Sequence, residues 1–495
     1  MAVKGLPARY VFALLGFFGF FNVYAMRVNL SVAIIAMVKQ SNHSNESGPK
    51  EAVACQELIQ EHNHGNLSEI SYSRLQPKGE FEWDSYTQGL VLGAFFYGYI
   101  ITQIPGGIIA EKYGAKWLFA LGMLLTSIFT LLTPLAARWG VWALVFARVI
   151  EGLGEGVAYP AINTLIGQWA PKLERSRIVA FIYTGSNVGT VFTLGISGIL
   201  SQSDFLGGWP SVFYVFGTLG CVWFILWVCI IHETPESHPR ISKEELLLIR
   251  QGHEKKPRVP TPWKSILTSV PLWALLAAHT GETWGFYTLL IQAPTYLSNI
   301  LHFDLNQNGL LSALPNLALS TVSIFASILA DNLRKRGTMR ISTIRKTLNT
   351  IGFIGPAICL AIVAFIGCRP LVIVILLCLA LGLNGFAFSG FIATHVDMSP
   401  DFAGTLYGFT NFFSNFSGFL VPAYVGWIIH DGQTVKNWAI VFVTASVVFV
   451  VTSMIYNIFA SAELQPWGIH QEEETPNKKE DENEKNDPYT NTSKL

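Results

Sequence analysis

Residues 106–116 read GGIIAEKYGAK and follow directly on a long apolar run. A second stretch, residues 330–336, reads ADNLRKR and follows a later apolar run at the corresponding place. In each stretch an acidic residue at the end of a predicted helix is followed by basic residues. We interpret the two stretches as equivalent loops in two related halves of the chain, which is an internal repeat.

Twelve apolar runs surround these loops, six in each half of the chain. Each run has roughly 20 or more residues, which is the length that a helix needs to cross the hydrocarbon core of a bilayer. We therefore predict an all-α membrane protein with twelve transmembrane helices in two six-helix halves. The predicted spans cover residues 10–38, 86–110, 116–136, 141–168, 178–200, 211–231, 270–293, 309–330, 347–367, 371–394, 403–429 and 438–460.

The composition supports this prediction and excludes several other classes. The chain of 495 residues is 51% hydrophobic and 13% charged, and its mean hydropathy is +0.39. This is more apolar surface than a water-soluble core can bury. The net charge of +0 gives no reason to expect a nucleic-acid partner. Four of the six cysteines lie in apolar runs, and Cys55 and Cys368 lie in loops. We expect neither a metal site nor a disulfide framework.

Polar segments divide the chain into domains. A stretch rich in charge and proline separates the two sets of spans, and the end of the chain has almost no apolar residues. The first run is too long for a signal-peptide core, so we expect it to be retained. The predicted domains are an N-terminal half (1–231, with a luminal loop at 41–84), a cytosolic linker (232–264), a C-terminal half (265–467) and a disordered cytosolic tail (468–495).

Basic residues indicate the orientation. If both termini are cytosolic, 24 of the 33 lysines and arginines lie in cytosolic loops and tails, as the positive-inside rule requires. The predicted luminal loop also carries three glycosylation sequons, at Asn42, Asn45 and Asn66, which must be luminal to be modified.

The repeated loops suggest a gate. Glycines let helices touch closely, and the acidic and basic residues can form ion pairs that close the cytosolic side in one conformation. Ordinary cytosolic loop charges would give a similar pattern. The predicted gating residues are Gly107, Glu111, Lys112, Lys116, Asp331 and Arg334.

Charges inside the spans are the main candidates for function. Arg27 lies in the first run, and Arg148, Glu151 and Glu155 lie in the fourth. The last three are spaced i, i+3 and i+7, so they share one helical face. A charged side chain in the hydrocarbon core costs free energy, so such residues are retained mainly where they have a function. The alternative to a functional role is a set of structural ion pairs between Arg148 and the two glutamates. We interpret the neighbouring Gly152, Gly154 and Gly156 as residues that allow close helix packing.

The chemistry of these residues suggests anion transport. A guanidinium group grips a carboxylate through two parallel hydrogen bonds, whereas a buried glutamate can exchange a proton near neutral pH. We therefore predict Arg27 and Arg148 as anion-binding residues and Glu151 and Glu155 as proton-coupling residues. Tyr183 and Tyr287 are predicted to line the substrate site. Trp284 is a further aromatic candidate for the cavity lining, with plain helix packing as the alternative. Glu282 and the pair His395 and Asp397 are additional charged candidates. For the pair we expect a solvated position at a cytosolic helix end or a gating role, with substrate contact as the alternative.

Several motifs, in order, resemble one family. They are RVNLSVA (27–33), FFYGYIITQIPGG (95–107), EGLGEG (151–156), WAP with ERSR (169–177) and AELQPW (462–467). They are similar to motifs of the anion:cation symporter family, which includes sialin, the vesicular glutamate transporters and the sodium/phosphate cotransporters. The repeated loops likewise resemble those of the major facilitator superfamily. The resemblance implies substrate contacts for Arg27 and Arg148 and proton coupling for Glu155, with Glu151 as the additional acid of sialin.

Departures from the family narrow this interpretation. Leu92 replaces a histidine of the vesicular glutamate transporters, and Glu282 replaces their arginine. The resemblance therefore favours a sialin-like proton symporter for acidic sugars and related carboxylates. Asn163 stands where sialin has a histidine, so the exact substrate does not follow from the resemblance. Sialin's acidic dileucine sorting signal is absent, so a lysosomal localisation does not follow either.

Three alternatives remain at this point. A sodium-dependent phosphate cotransporter would share the fold. A transport-inactive sensor or scaffold would have no use for the costly intramembrane charges. An enzyme is disfavoured because no phosphate-binding loop, zinc spacing or nucleophile motif occurs. We expect a monomer in a lysosomal, other vesicular or plasma membrane, with a small anionic substrate, the lipid bilayer as its surroundings and no cofactor. The expected coupling ion is H⁺, with Na⁺ as the alternative.

Overall fold

The computed structural model describes residues 7–39, 55, 79–171, 174–250, 261–337, 339–399, 402–430 and 432–468. The three predicted glycosylation sites and the predicted tail beyond residue 468 lie outside these ranges.

Seven helices form the N-terminal half. Six predicted spans become seven helices because the fourth span is divided in two. They are α1 (Ala8–Met37), α2 (Ser85–Tyr113), α3 (Ala115–Trp139), α4 (Val141–Glu155), α5 (Ala158–Trp169), α6 (Arg175–Gln202) and α7 (Pro210–Ile230).

Two short helices lie in the linker region, and eight helices form the C-terminal half. The linker helices are α8 (Lys243–Arg250) and α9 (Trp263–Leu267). The others are α10 (Val270–Asn299), α11 (Leu305–Arg336), α12 (Ile341–Phe365), α13 (Pro370–Asn384), α14 (Ala393–Met398), α15 (Ala403–Ser414), α16 (Ser417–Ile428) and α17 (Val435–Phe459).

The described helices account for all twelve predicted spans. Nine helical segments are long and apolar enough to cross a membrane. The other three spans are the divided pair α4 and α5, the divided pair α15 and α16, and α10, whose apolar sequence is interrupted by polar residues such as His279 and Glu282. The all-α membrane fold predicted from the sequence is confirmed.

Three spans that the sequence predicts as continuous helices are broken. A π-helical turn at Phe388–Ile392 separates α13 from α14, and the helix also breaks between α15 and α16. The break between α4 and α5 has a clear cause. Pro160 lacks an N–H group, and its ring would clash with the carbonyl group of Gly156 four residues earlier in an unbroken helix. Hydrophobic periodicity does not reveal such local breaks.

The linker is anchored to the N-terminal half. The carboxylate of Glu245 in α8 accepts hydrogen bonds from the backbone N–H groups of Ala8 (3.1 Å) and Arg9 (3.0 Å). It also pairs with the Arg9 side chain, which binds Glu174 as well. An acidic side chain at the start of α1 satisfies N–H groups that have no partner within the helix and is favoured by the helix dipole.

The two halves meet at the predicted luminal ends of their helices. Gly89 of α2 lies against the backbone of Pro422 in α16, and Gly198 of α6 lies against Leu305 in α11. Towards the opposite end, no described atom lies within 4 Å of a Cβ atom built on Gly408 of α15. The contacts at Gly89 and Gly198 close the structure on the predicted luminal side.

A disulfide bond also joins the halves at the closed side. Cys55 follows α1, and Cys368 lies between α12 and α13, with a Cα–Cα distance of 5.4 Å. The expectation that the chain has no disulfide is wrong, because the pairing depends on two loops that meet only in the folded protein. Nearby in the same interface, the side chains of Asp84 and His430 approach to 3.5 Å.

Candidate functional site

Two buried ion pairs lie side by side in the N-terminal half. Arg27 of α1 donates from Nε to Glu155 Oε1 of α4 at 2.6 Å. Arg148 donates from Nη1 to Glu151 Oε2 at 2.5 Å, as their i, i+3 spacing on α4 permits. All four side chains are buried. The structure therefore brings together the four charged residues that the sequence singled out.

Arg148 also ties α4 to α1. Its Nη1 and Nη2 atoms lie 3.5 and 3.4 Å from the carbonyl oxygens of Met26 and Arg27. Glycines on α4 allow a separate close contact with α2, because a Cβ atom at Gly152 would overlap with the carbonyl oxygen of Phe95. The interpretation of the α4 glycines as packing residues agrees with this geometry.

The two glutamates differ in their remaining capacity for hydrogen bonds. Both carboxylate oxygens of Glu151 are occupied, since Thr133 donates to Oε1 at 2.9 Å and Arg148 binds Oε2. Glu155 Oε2 and Arg148 Nε have no hydrogen-bond partner in the described part of the chain. Glu155 is thus the glutamate that has room for a proton and its new hydrogen bond.

Aromatic rings surround the Arg27 guanidinium group. Its central carbon lies 4.7 Å from the ring centres of both Tyr24 and Tyr99 and 5.2 Å from that of Phe95. Aromatic faces stabilise a cation by their quadrupole, most strongly where water is excluded. These rings hold the guanidinium group charged and in place, whether or not it binds a carboxylate.

A cavity lies between the two halves next to these ion pairs. A ligand there would touch both halves, which is the position of substrate sites in transporters built from two repeats. The side chain of Tyr287, a predicted lining residue, donates to Asn415 Oδ1 at 2.9 Å. The cavity is lined by Arg27, Val28, Ser31, Leu92, Phe96 and Arg148 from the N-terminal half and by Tyr287, Leu290 and Ile291 from the C-terminal half.

Further tyrosine hydroxyl groups lie near this cavity. Tyr24 and Tyr159 are linked through their hydroxyl oxygens at 3.1 Å. Tyr183, which the sequence predicted as a lining residue, is not among those that line the cavity; it donates to Asn163 Oδ1 at 2.6 Å. Its ring packs against Phe20 and Tyr159, so Tyr183 belongs to an aromatic cluster adjoining the site.

The predicted gating residues form no ion pair between the halves among the described residues. Lys112 and Asp331 are exposed, and the Lys116 amino group lies over the ring of Trp117. Arg334 approaches Asp397 to 3.9 Å, within the C-terminal half. Gly107 lies near Pro160, and the side chain of Glu111 lies outside the described set. The predicted latch between the halves is therefore not formed among the described residues.

His395 and Asp397 lie at the end of a helix, α14, as predicted, but the expectation that His395 is solvated is wrong, and a gating role stays a prediction. His395 is buried, and Asp397 accepts from Arg345 Nε at 2.6 Å. His395 Nε2 and His279 Nδ1 both lie within hydrogen-bond distance of Thr410 Oγ1, at 2.9 and 3.0 Å. Sequence reasoning missed His279, although its position three residues before Glu282 in an apolar run is a usable signal.

Comparisons with known proteins agree with this architecture. The family model described as "Major Facilitator Superfamily" matches residues 11–422. Human sialin is 42% identical over 465 residues, which cover 94% of this chain and 91% of that protein. A putative inorganic phosphate cotransporter of Drosophila melanogaster is 40% identical, covering 94% and 87%.

Solved structures show the same fold. A bacterial homolog of the human lysosomal transporter Spinster, in an inward-facing and occupied conformation, superposes with a TM-score of 0.67 at 15% sequence identity, covering 94% of this chain and all of that one. The chain belongs to the major facilitator superfamily. It is a multi-pass membrane transporter and not an enzyme, as the sequence predicted.

Proposed function

We propose that the protein is a proton-coupled symporter of small organic anions, with sialic acid or related acidic sugars and carboxylates as substrates. The pairing of Arg27 with Glu155 at the wall of the cavity carries this proposal. One guanidinium group there is held by a carboxylate that has a free oxygen, and an anionic substrate would compete for the same guanidinium group.

The competition provides a coupling mechanism. While Glu155 is ionised it occupies Arg27. When a proton binds Glu155, its attraction for the guanidinium group falls, and Arg27 can form two parallel hydrogen bonds with a substrate carboxylate. Proton and anion then bind together, and the charge of the anion offsets the positive charge that the site gains when Glu155 is neutralised. The two halves can then rock around the occupied site.

The surroundings of the arginines favour a hydroxylated anion. Hydroxyl groups of Tyr24, Tyr159 and Tyr287 lie near the cavity and can donate to or accept from sugar hydroxyl groups. Apolar side chains such as Leu92 and Ile291 complete the lining. The similarity to sialin supports an acidic sugar as the substrate.

The membrane address and orientation form part of the proposal. We place both termini in the cytosol and the protein in a lysosomal, other vesicular or plasma membrane. The disulfide between Cys55 and Cys368 supports this orientation, because it lies on the side opposite the start of α1 and disulfides form in luminal or extracellular compartments.

A sodium-dependent phosphate cotransporter is the second candidate. The similarity to the Drosophila protein favours it, and two adjacent arginines can also bind phosphate. No group of three or more carboxylates, histidines and cysteines that could hold a metal ion occurs in the described residues, so a sodium site would need other oxygen ligands.

Uptake into proteoliposomes tests the proposal. Radiolabelled sialic acid, glutamate and phosphate are offered separately, with either a proton gradient or a sodium gradient imposed. We expect sialic acid to accumulate when a proton gradient is present and the accumulation to vanish with a protonophore. Sodium-driven phosphate uptake without a proton response would contradict proton coupling and favour the second candidate.

A further inference from the structure

Glu282 in the C-terminal half carries a carboxylate that has no partner among the described residues. It lies near the middle of α10 and is 7% exposed. No hydrogen bond or ion pair to its carboxylate occurs among the residues that the structure describes. The residues on either side of Glu282 contact other helices. Thr283 donates to the Ser414 carbonyl group at 3.1 Å, and Gly281 lies against Thr452 of α17.

The face of α10 that carries Glu282 is directed towards the junction of the two halves. Phe286, one turn further along the helix on the same face, packs against the hydrophobic clusters of both halves. Tyr287 follows Glu282 on α10 and donates to Asn415 Oδ1 at 2.9 Å. Tyr287 lines the cavity, so Glu282 belongs to its surroundings.

Among the described residues, no fixed cation forms an ion pair with Glu282. The titratable groups on the elements around it include Tyr24 and Arg27 of α1, Tyr407 of α15, Tyr424 of α16, Tyr456 of α17, His395 of α14 and, on α10 itself, His279, Tyr287 and Tyr296. Arg27 already holds Glu155. His279 and His395 share the hydroxyl group of Thr410. An ionised, unpaired carboxylate in these surroundings is strongly disfavoured, so Glu282 must bind a cation in part of the cycle.

The balance of charge around the cavity indicates how many cations are needed. Arg27 and Arg148 contribute two positive charges, and Glu151, Glu155 and Glu282 contribute three negative charges. One proton gives a neutral site, and two protons give the single positive charge that matches a monovalent anion. We propose that Glu282 is a second proton-binding residue, so that two protons accompany each monovalent anion, an inference that rests on the proposed function.

The stoichiometry can be measured by a null-point experiment. Proteoliposomes are given a pH difference of one unit with the membrane potential held at zero, and the preset sialic acid gradient is varied until net flux stops. At this pH difference, each coupled proton multiplies by about ten the sialic acid concentration ratio at which net flux stops. We expect flux to stop near a gradient of about 100-fold in the unaltered protein and about 10-fold in Glu282→Gln.

Matched variants make the result specific. Glu463→Gln changes an exposed glutamate in the same way and should keep the null point near about 100-fold, as should Glu282→Asp, which retains a carboxylate. A null point near about 10-fold in the unaltered protein overturns the proposal even if Glu282→Gln is inactive. A null point near about 100-fold in Glu282→Gln, or one that follows a sodium gradient, also overturns it. Absence of any pH-driven uptake would instead contradict the proposed function.

Discussion

Arg27 is the residue at which two carboxylates compete, that of Glu155 and that of a substrate. Replacing Arg27 by alanine removes the guanidinium group from the cavity wall, and we expect anion binding to become undetectable. The loss of a buried, hydrogen-bonded charge amounts to at least about 2 kcal/mol, or about 30-fold in affinity. Equilibrium binding of labelled sialic acid to purified protein measures it.

Two further arginine variants control for this result. Arg27→Lys keeps the charge but loses the planar fork, so its affinity should be intermediate. Arg250→Ala removes an exposed arginine paired with Glu236 and should bind normally. Unchanged affinity in Arg27→Ala would exclude Arg27 as the anion anchor.

Glu155 gives a different expectation, because its proposed role is in coupling. Glu155→Gln keeps the shape of the side chain but cannot release a proton. We expect it to lose accumulation driven by a pH gradient while it retains exchange of labelled for unlabelled substrate across the membrane. Counterflow and uptake assays on the same vesicles separate these two activities.

Glu151→Gln is the natural comparison for Glu155→Gln. Both oxygens of Glu151 are occupied by protein groups, so we expect this variant to weaken substrate binding through Arg148 while pH-driven accumulation persists at high substrate concentration. Normal pH-driven accumulation in Glu155→Gln would exclude Glu155 as the proton carrier.

At the scale of single elements, the contact between α2 and α4 sets the position of the charged residues. A Cβ atom at Gly152 would overlap with backbone atoms of α2, which cannot move as a flexible side chain can. We expect Gly152→Ala to destabilise the protein by about 1–3 kcal/mol, visible as a lower midpoint of thermal unfolding in detergent. Gly408→Ala, in α15 with open space beside it, should show no loss of stability. Equal midpoints for the two variants would contradict the packing role of Gly152.

The elements also show what a sequence can reveal. The spans are predictable because the bilayer imposes a length and an apolar composition on every helix. The pairing of Arg148 with Glu151 is predictable because both lie on one helix at i, i+3. The pairing of Arg27 with Glu155 is not, because it depends on how α1 crosses α4. The contact of His279 with Thr410 is not predictable for the same reason, because the two residues lie 131 positions apart in the chain.

At the scale of the whole molecule, the disulfide joins the two halves covalently. A protease site can be inserted between residues 250 and 261, in the segment that joins α8 to α9. After cleavage, we expect the two halves to migrate together on a denaturing gel without reductant and to separate when a reductant is added. In Cys368→Ser they should separate without reductant, whereas Cys229→Ser, which alters a free cysteine, should behave like the unaltered protein. Separation of the unaltered halves without reductant would show that the bond is absent.

The same bond changes how the chain responds to mechanical force. Cys55 and Cys368 close a loop of 313 residues within a chain of 495, so a pull on the two termini can extend only the remaining 182. At about 3.6 Å per residue, the fully stretched oxidised chain reaches roughly 650 Å and the reduced chain roughly 1,800 Å. When the molecule is pulled out of the bilayer by its termini, the segment between the two cysteines, which is more than half of the chain, bears no tension until the sulfur–sulfur bond is broken.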